Sequence, residues 1–274
     1  MAQGKGVGLA VVADWARKYP LAPRWRREEL LALTTADGVA ISAACLRGPA
    51  DAAAAVVLVH GFLNSSRSPV VHGFARLLAA SGVHVIAPDL RGHGRSGGRV
   101  TLGALEPLDV AAAVDAARQA WPSLPVVTVG TSLGGIAVLR HAGLIGGVAG
   151  TVAISAPAWY DPDTRDGARR LTRFVESRAM RQVAARFLRT RVGLLPPVDD
   201  MADVVAAIAP AFTVVVHDPE DAFFGEEHAR AIYDAAREPK ELWLLPGAGH
   251  GGDVLTPALA DRLLAEVIGR IAVQ

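Results

Sequence analysis

Residues 125–143 read PVVTVGTSLGGIAVLRHAG, and the fold depends on how this stretch is parsed. The segment VVTV is β-branched throughout, whereas the residues after Gly135 favour a helix. Between them Ser132 stands in a Gly-x-Ser-x-Gly frame made by Gly130 and Gly134. The pattern predicts a buried strand, a sharp turn and a helix. Glycine on either side removes the Cβ atoms that would clash at such a turn. The turn also puts Ser132 at a helix amino terminus, where unpaired amides and the helix dipole favour negative charge. A serine hydroxyl alone is a poor nucleophile. The stretch carries chemistry only if the rest of the chain supplies a base, an acid to orient it and oxyanion donors.

Working outward, the runs AAAVVLVH, GVHVIAPD, GTVAISAP, AFTVVVHD and KELWLLPG are short, apolar and bounded by Gly, Pro or Asp. Continuous runs of this kind suit strands buried on both faces. Helix-period segments fall between them, such as PVVHGFARLLAAS with Val71, Phe74, Leu77 and Leu78 on one face. Strand alternating with helix predicts parallel βαβ units and a doubly wound sheet. Upstream, ELLALTT and VAISAACL flank Asp37-Gly38, the chemistry of an antiparallel hairpin turn. The expected architecture is therefore α/β, a mostly parallel doubly wound sheet with an antiparallel N-terminal hairpin.

Two regions stand outside this rhythm. Residues 1–28 are expected to form a peripheral helical extension, and residues 29–274 the main domain. Within it, residues of about 157–209 contain no strand-like run. Leu171, Phe174 and Val175 form one helical apolar stripe there, and Val183, Ala184, Phe187 and Leu188 another. An insertion at the carboxyl end of a strand is placed to cover a site, so this segment is expected to be a small helical cap. Residues 165–191 carry nine arginines against two acids, Asp166 and Glu176. They read either as a solvated polar face or as an attractor of anionic groups.

The chain of 274 residues is 51% apolar and 20% charged, with a formal net charge of +1. That is globular material without the global basic field of a nucleic-acid binder. No window reaches the roughly 18 uninterrupted apolar residues of a membrane span. The single cysteine, Cys45, cannot form an internal disulfide, which suits a reducing, cytoplasmic setting. No phosphate-cradling glycine motif is present, and the eight histidines are scattered without metal-ligand spacing. Neither metal nor organic cofactor is expected.

Four stretches together resemble the α/β-hydrolase fold superfamily, specifically its serine esterase and monoacylglycerol-lipase-like members. They are LVHGFLNSS (58–66), APDLRGHGRSGG (87–98), VGTSLGG (129–135) and PGAGHGG (246–252). The resemblance covers nearly all of the chain beyond residue 28. It implies a serine, acid and histidine in that chain order, with Ser132 matching the nucleophile and His250 the base. For the acid, HDPED offers Asp218 and Asp221. The family usually shows His-Gly-x-x-Asp, and Asp218 stands where that glycine is expected, so the register favours Asp221 while Asp218 remains an alternative.

The resemblance also implies an oxyanion hole from the backbone amides of Leu133 and Phe62. The side chains of Phe62 and Leu63 fit an acyl pocket or the core equally well. His60, Arg91 and His93 are expected to brace loops. The implied activity is hydrolysis of small-molecule carboxylic esters with an apolar acyl group. The alternatives are a thioesterase or acyltransferase on a carrier-bound acyl chain, or a ligand-binding protein without turnover.

Overall fold

The computed structural model of the protein describes residues 29–159, 165–193 and 201–271. The N-terminal extension expected for residues 1–28 lies outside the described residues. Eight strands form one sheet in the order β1-β2-β4-β3-β5-β6-β7-β8. They are β1 (Glu29–Thr34), β2 (Ala40–Leu46), β3 (Ala54–Val59), β4 (Val83–Pro88), β5 (Val126–Thr131), β6 (Gly150–Ile154), β7 (Phe212–His217) and β8 (Lys240–Leu244).

β1 and β2 form the expected hairpin, with Thr34 opposite Ala40 across the Asp37-Gly38 turn. β2 is antiparallel to β4, and every later pairing is parallel. The expected mostly parallel sheet with an antiparallel N-terminal hairpin is what the chain forms.

The continuous apolar runs are explained by burial from both sides. Val56 and Leu58 of β3 face α1 (Pro69–Ala80) and α8 (Pro257–Ile271), packing with Phe74, Leu78, Leu259 and Leu263. Ala55, Val57 and Val59 face the opposite way, toward α2 (Glu106–Ala120) and α3 (Leu133–Leu144). A strand residue therefore has no solvent face to make polar, and the sequence shows no alternation.

Residues 157–209 contain α4 (Asp166–Glu176), α5 (Arg178–Phe187) and α6 (Met201–Ala206). The first two pack Phe174, Val175 and Ala184 onto Phe62, Leu63 and Leu133, at the carboxyl ends of β3 and β5. α6 behaves differently: Met201 and Val205 join Leu139 of α3 and Ile232 of α7 (Glu226–Ala235) on the flank of the sheet. Among the described residues, no helix is long and apolar enough to cross a membrane.

Candidate active site

β4 and β5 lie on opposite sides of β3, so the strand order reverses at the centre of the sheet. The loops that diverge there open a crevice at the strand carboxyl ends. Ser132 sits in this crevice, directly between β5 and α3, with φ 52° and ψ −115°. That backbone is strained for a residue with a Cβ.

Close approach explains the neighbouring glycines. A Cβ at Gly130 would lie 2.2 Å from the Gly134 carbonyl oxygen, one at Gly134 2.4 Å from that of Val59, and one at Gly135 2.8 Å from Ala156 Cβ. The Ser132 amide donates to the Ile154 carbonyl at 2.8 Å, which ties the turn to β6.

His250 reaches Ser132 from the loop after β8. Its Nε2 lies 3.1 Å from Ser132 Oγ, and its Nδ1 2.6 Å from Asp221 Oδ2. Asp221 is fully buried, and its Oδ1 accepts the amides of Phe223 at 2.7 Å and Phe224 at 3.3 Å. The carboxylate therefore cannot swing away without leaving amides unpaired. His217 donates through Nε2 to the Phe224 carbonyl at 3.0 Å and closes this loop from below.

Asp218 does something else. Its Oδ2 accepts the Gly249 amide at 2.6 Å, and its Oδ1 accepts Glu220 at 2.9 Å and Gly247 at 3.2 Å. Burial works against its charge, but the amides of Gly249, Glu220 and Gly247 outweigh it and hold the carboxyl below the usual carboxylate range. The structure thus brings Asp221, rather than Asp218, to the imidazole.

Leu133 and Phe62 flank Ser132. Leu133 opens α3 and has no carbonyl one turn behind it. The Phe62 loop is pressed against the turn: a Cβ at Gly61 would be 3.4 Å from Ser132 Cβ. Among the described residues neither amide meets an acceptor within the chain.

Two buried histidines shape the loop. His60 accepts the Leu90 amide on Nε2 at 3.0 Å and donates from Nδ1 to the Gly61 carbonyl at 2.8 Å. His93 accepts the Leu63 amide on Nε2 at 3.3 Å and donates to the Arg91 carbonyl at 3.1 Å. Each ring must therefore carry its proton on Nδ1. Burial holds both below the ordinary histidine range, His93 well below it, so they stay neutral braces.

Phe62 and Leu63 are buried side chains. Phe62 stands edge-on between His93, at 5.9 Å, and Phe174 of α4, at 6.3 Å. Of the two roles open to these side chains, packing is the one they occupy. Arg91 fastens the same loop elsewhere, pairing with Asp37 of the hairpin turn at 2.8 Å and Asp109 of α2 at 2.8 Å.

Sequence reasoning missed three contributors. Ser155, fully buried with φ 52°, accepts the Gly251 amide at 3.1 Å and anchors the His250 loop to β6. Asp89 accepts the amide and hydroxyl of Ser66 at 2.8 and 2.7 Å and the Arg95 amide at 3.0 Å, joining the Phe62 loop to the loop after β4. Phe223 lays its ring 4.4 Å from the His250 imidazole. The available signal was position: Asp89 and Ser155 each directly follow a strand, β4 and β6. Among the described residues no group of three or more His, Cys, Asp and Glu side chains gathers as metal ligands.

A family model described as serine aminopeptidase, S33 matches residues 50–205. The monoacylglycerol lipase of Mycolicibacterium smegmatis is 36% identical over 111 residues, a segment covering 39% of each chain. The matched segment thus spans well under half of that relative's length. Among solved structures, the Pyrococcus furiosus esterase Pf2001 superposes with a TM-score of 0.70 at 20% identity, covering 92% of this chain and 96% of its own. The α/β hydrolase GrgF from Penicillium sp. sh18 gives 0.67 at 19% identity, covering 89% and 97%. The structural likenesses speak for the scaffold. The family match, which spans more than half of the 274 residues and includes the Ser132 turn, goes further, and the chain belongs to the serine aminopeptidase S33 family of α/β-hydrolases.

Proposed function

We propose that this protein hydrolyses carboxylic esters with an apolar acyl group through an acyl-enzyme, with Ser132 as nucleophile, His250 as base and Asp221 as the orienting acid. The observation that carries this proposal is the unbroken hydrogen-bonded series from Ser132 Oγ to His250 Nε2 at 3.1 Å and from His250 Nδ1 to Asp221 Oδ2 at 2.6 Å.

Ser132 Oγ attacks the ester carbonyl carbon as its proton passes to His250 Nε2. Asp221 accepts the hydrogen bond from Nδ1–H throughout, staying ionised, and stabilises the imidazolium. The oxyanion is held by the amides of Phe62 and Leu133, where each donor is worth about 10²–10³ in turnover. The intermediate collapses, breaking the bond to the leaving alcohol, which departs with the proton from Nε2. Water then repeats the sequence on the acyl-serine, delivering its own proton to His250 and releasing the acid and free Ser132.

The apolar packing beside Ser132, where Phe62 meets Phe174 in one cluster with Leu133, supports an apolar acyl group over a charged one. An ester is favoured over a peptide with a free amino terminus because both carboxylates beside His250 are already saturated by amides or the imidazole. Neither is left to hold a substrate ammonium.

The deciding experiment compares p-nitrophenyl esters of rising chain length, acyl thioesters and amino-acid p-nitroanilides on wild type and Ser132→Ala. Wild type should favour the esters, and the variant should lose on the order of 10⁴-fold or more of the activity. Equal turnover by the two proteins ends the proposal. Preference for thioesters or anilides ends its ester assignment.

A further inference from the structure

Three contacts run from the start of the cap to the loop that carries Asp221. Arg165 Nη1 donates to the Asp221 carbonyl at 2.7 Å, and its Nη2 reaches the Pro219 carbonyl at 3.5 Å. The Gly167 amide donates to the Ala222 carbonyl at 3.0 Å. The approach at Gly167 is tight. A Cβ there would lie 2.6 Å from the Ala222 carbonyl oxygen and 2.8 Å from Phe223 Cγ. Phe223 faces the His250 imidazole on its other side at 4.4 Å, and its own amide donates to Asp221 Oδ1 at 2.7 Å. The cap backbone, the acid loop and the imidazole are thus stacked in contact.

Two cap arginines reach a pair of backbone carbonyls on one distant loop: Arg191 those of Ser96 and Gly98, and Arg165 those of the loop that carries Asp221. Arg169 pairs with Asp166 within its own helix, while Arg170, Arg173 and Arg178 are exposed. The half-buried guanidinium of Arg165 is spent on two carbonyls of one loop. A planar fork can fix two acceptors at a set separation, which a lysine ammonium cannot do in the same way.

We propose that Arg165 is a positioning residue that, with Gly167, latches the cap to the acid loop, so that the seating of the cap sets the Asp221–His250 geometry. This rests on the triad proposed above. Its consequence is that the cap does more than cover the crevice. When α4 lifts, the loop loses Arg165 and the Gly167 amide together, and Asp221 and Phe223 lose their backing. A displacement of about 1 Å in a catalytic group is enough to cost on the order of 100-fold in rate.

The test measures kcat, KM and the rate of fluorophosphonate labelling for wild type, Arg165→Ala, Arg165→Lys and Gly167→Ala, with melting curves to confirm folding. Each variant should lose roughly tenfold or more in kcat, with KM within about threefold, and label more slowly by a similar factor. Added guanidinium should return part of the kcat of Arg165→Ala and none of that of Gly167→Ala. If Arg165→Ala does not fold, Arg165→Lys and Gly167→Ala decide by the same readouts.

Folded variants with wild-type kcat overturn the latch alone. So does a lowered kcat in Arg165→Ala that guanidinium leaves untouched. Wild-type protein that takes no fluorophosphonate overturns the hydrolase proposal, and the latch with it.

Discussion

The carboxylate of Asp218 accepts the Gly249 amide at 2.6 Å, so the second aspartate of the acid loop holds the backbone next to His250 rather than the imidazole itself. The two aspartates should therefore separate in mutant kinetics. Asp221→Asn leaves His250 without its orienting acceptor and should lower kcat by on the order of 10⁴-fold. Asp218→Asn keeps that acceptor but replaces one oxygen by a donor facing an amide. It should cost about tenfold in kcat and about 1–3 kcal/mol of stability, because the buried side chain then turns a donor toward amides that themselves donate. Steady-state kinetics with urea unfolding check both. The reverse ranking in kcat would make Asp218 the acid.

The glycines around Ser132 lend themselves to a paired comparison. Gly134→Ala puts a methyl group 2.4 Å from the Val59 carbonyl oxygen, so the turn and β3 must part. The expected cost is at least about 1–3 kcal/mol, with activity falling alongside, since the Phe62 loop leaves β3 at that point. Gly73, in α1, has nothing within 4 Å of its Cβ position. Gly73→Ala should stabilise by about 0.5–1 kcal/mol through backbone entropy. Thermal melts of the two variants should move in opposite directions. A common direction would mean that space at the turn does not explain its glycines.

The fold was legible because it is written in local signals. Val56 to Val59 bury both faces, so the strand needed no alternation to be recognised, and Asp37-Gly38 marked the hairpin by turn chemistry. Ser132 was legible for a related reason, since the strain of its turn forces glycine at fixed offsets. Asp218 and Asp221 could not be separated by pattern with the same force. They share one loop, and their difference lies in which groups fold back onto each. Ser155 carried no signal beyond its place after a strand, and Arg165 carried none. Their partners are 96 and 56 residues away, and a lone serine or arginine has no periodicity to give it away.

Arg91 is a buried charge held on two sides, by Asp109 of α2 and Asp37 of the hairpin. Arg91→Ala would strand the fully buried Asp109 carboxylate and should cost about 3–5 kcal/mol. Removing both partners in Arg91→Ala/Asp109→Ala should recover part of that loss, because no uncompensated charge then stays inside. Urea unfolding of the single and double variants gives the coupling directly. Strict additivity would show that the pair does not act as a unit.

Acid should unfold this protein earlier than its carboxylates alone would dictate. Six of its eight histidines, at 60, 72, 84, 93, 141 and 217, are held below the ordinary histidine range, in each case chiefly by burial. For His141 the value falls to about 4 from 6.5. Below pH 6.5 the unfolded chain takes up protons that the folded chain refuses. The unfolded state then binds more protons, and stability falls as pH falls. His141 alone should lose on the order of 3 kcal/mol between pH 6.5 and about 4, with no further loss below its folded value. Buried Asp109 works the other way, since burial raises its carboxyl to about 7 and the folded chain takes up that proton first. The histidine contribution is therefore read by difference: at constant m-value the urea midpoint of His141→Leu should fall less between pH 7 and 5 than that of wild type. Equal slopes in the two proteins would mean that His141 gains its proton in the folded protein as readily as in the unfolded chain.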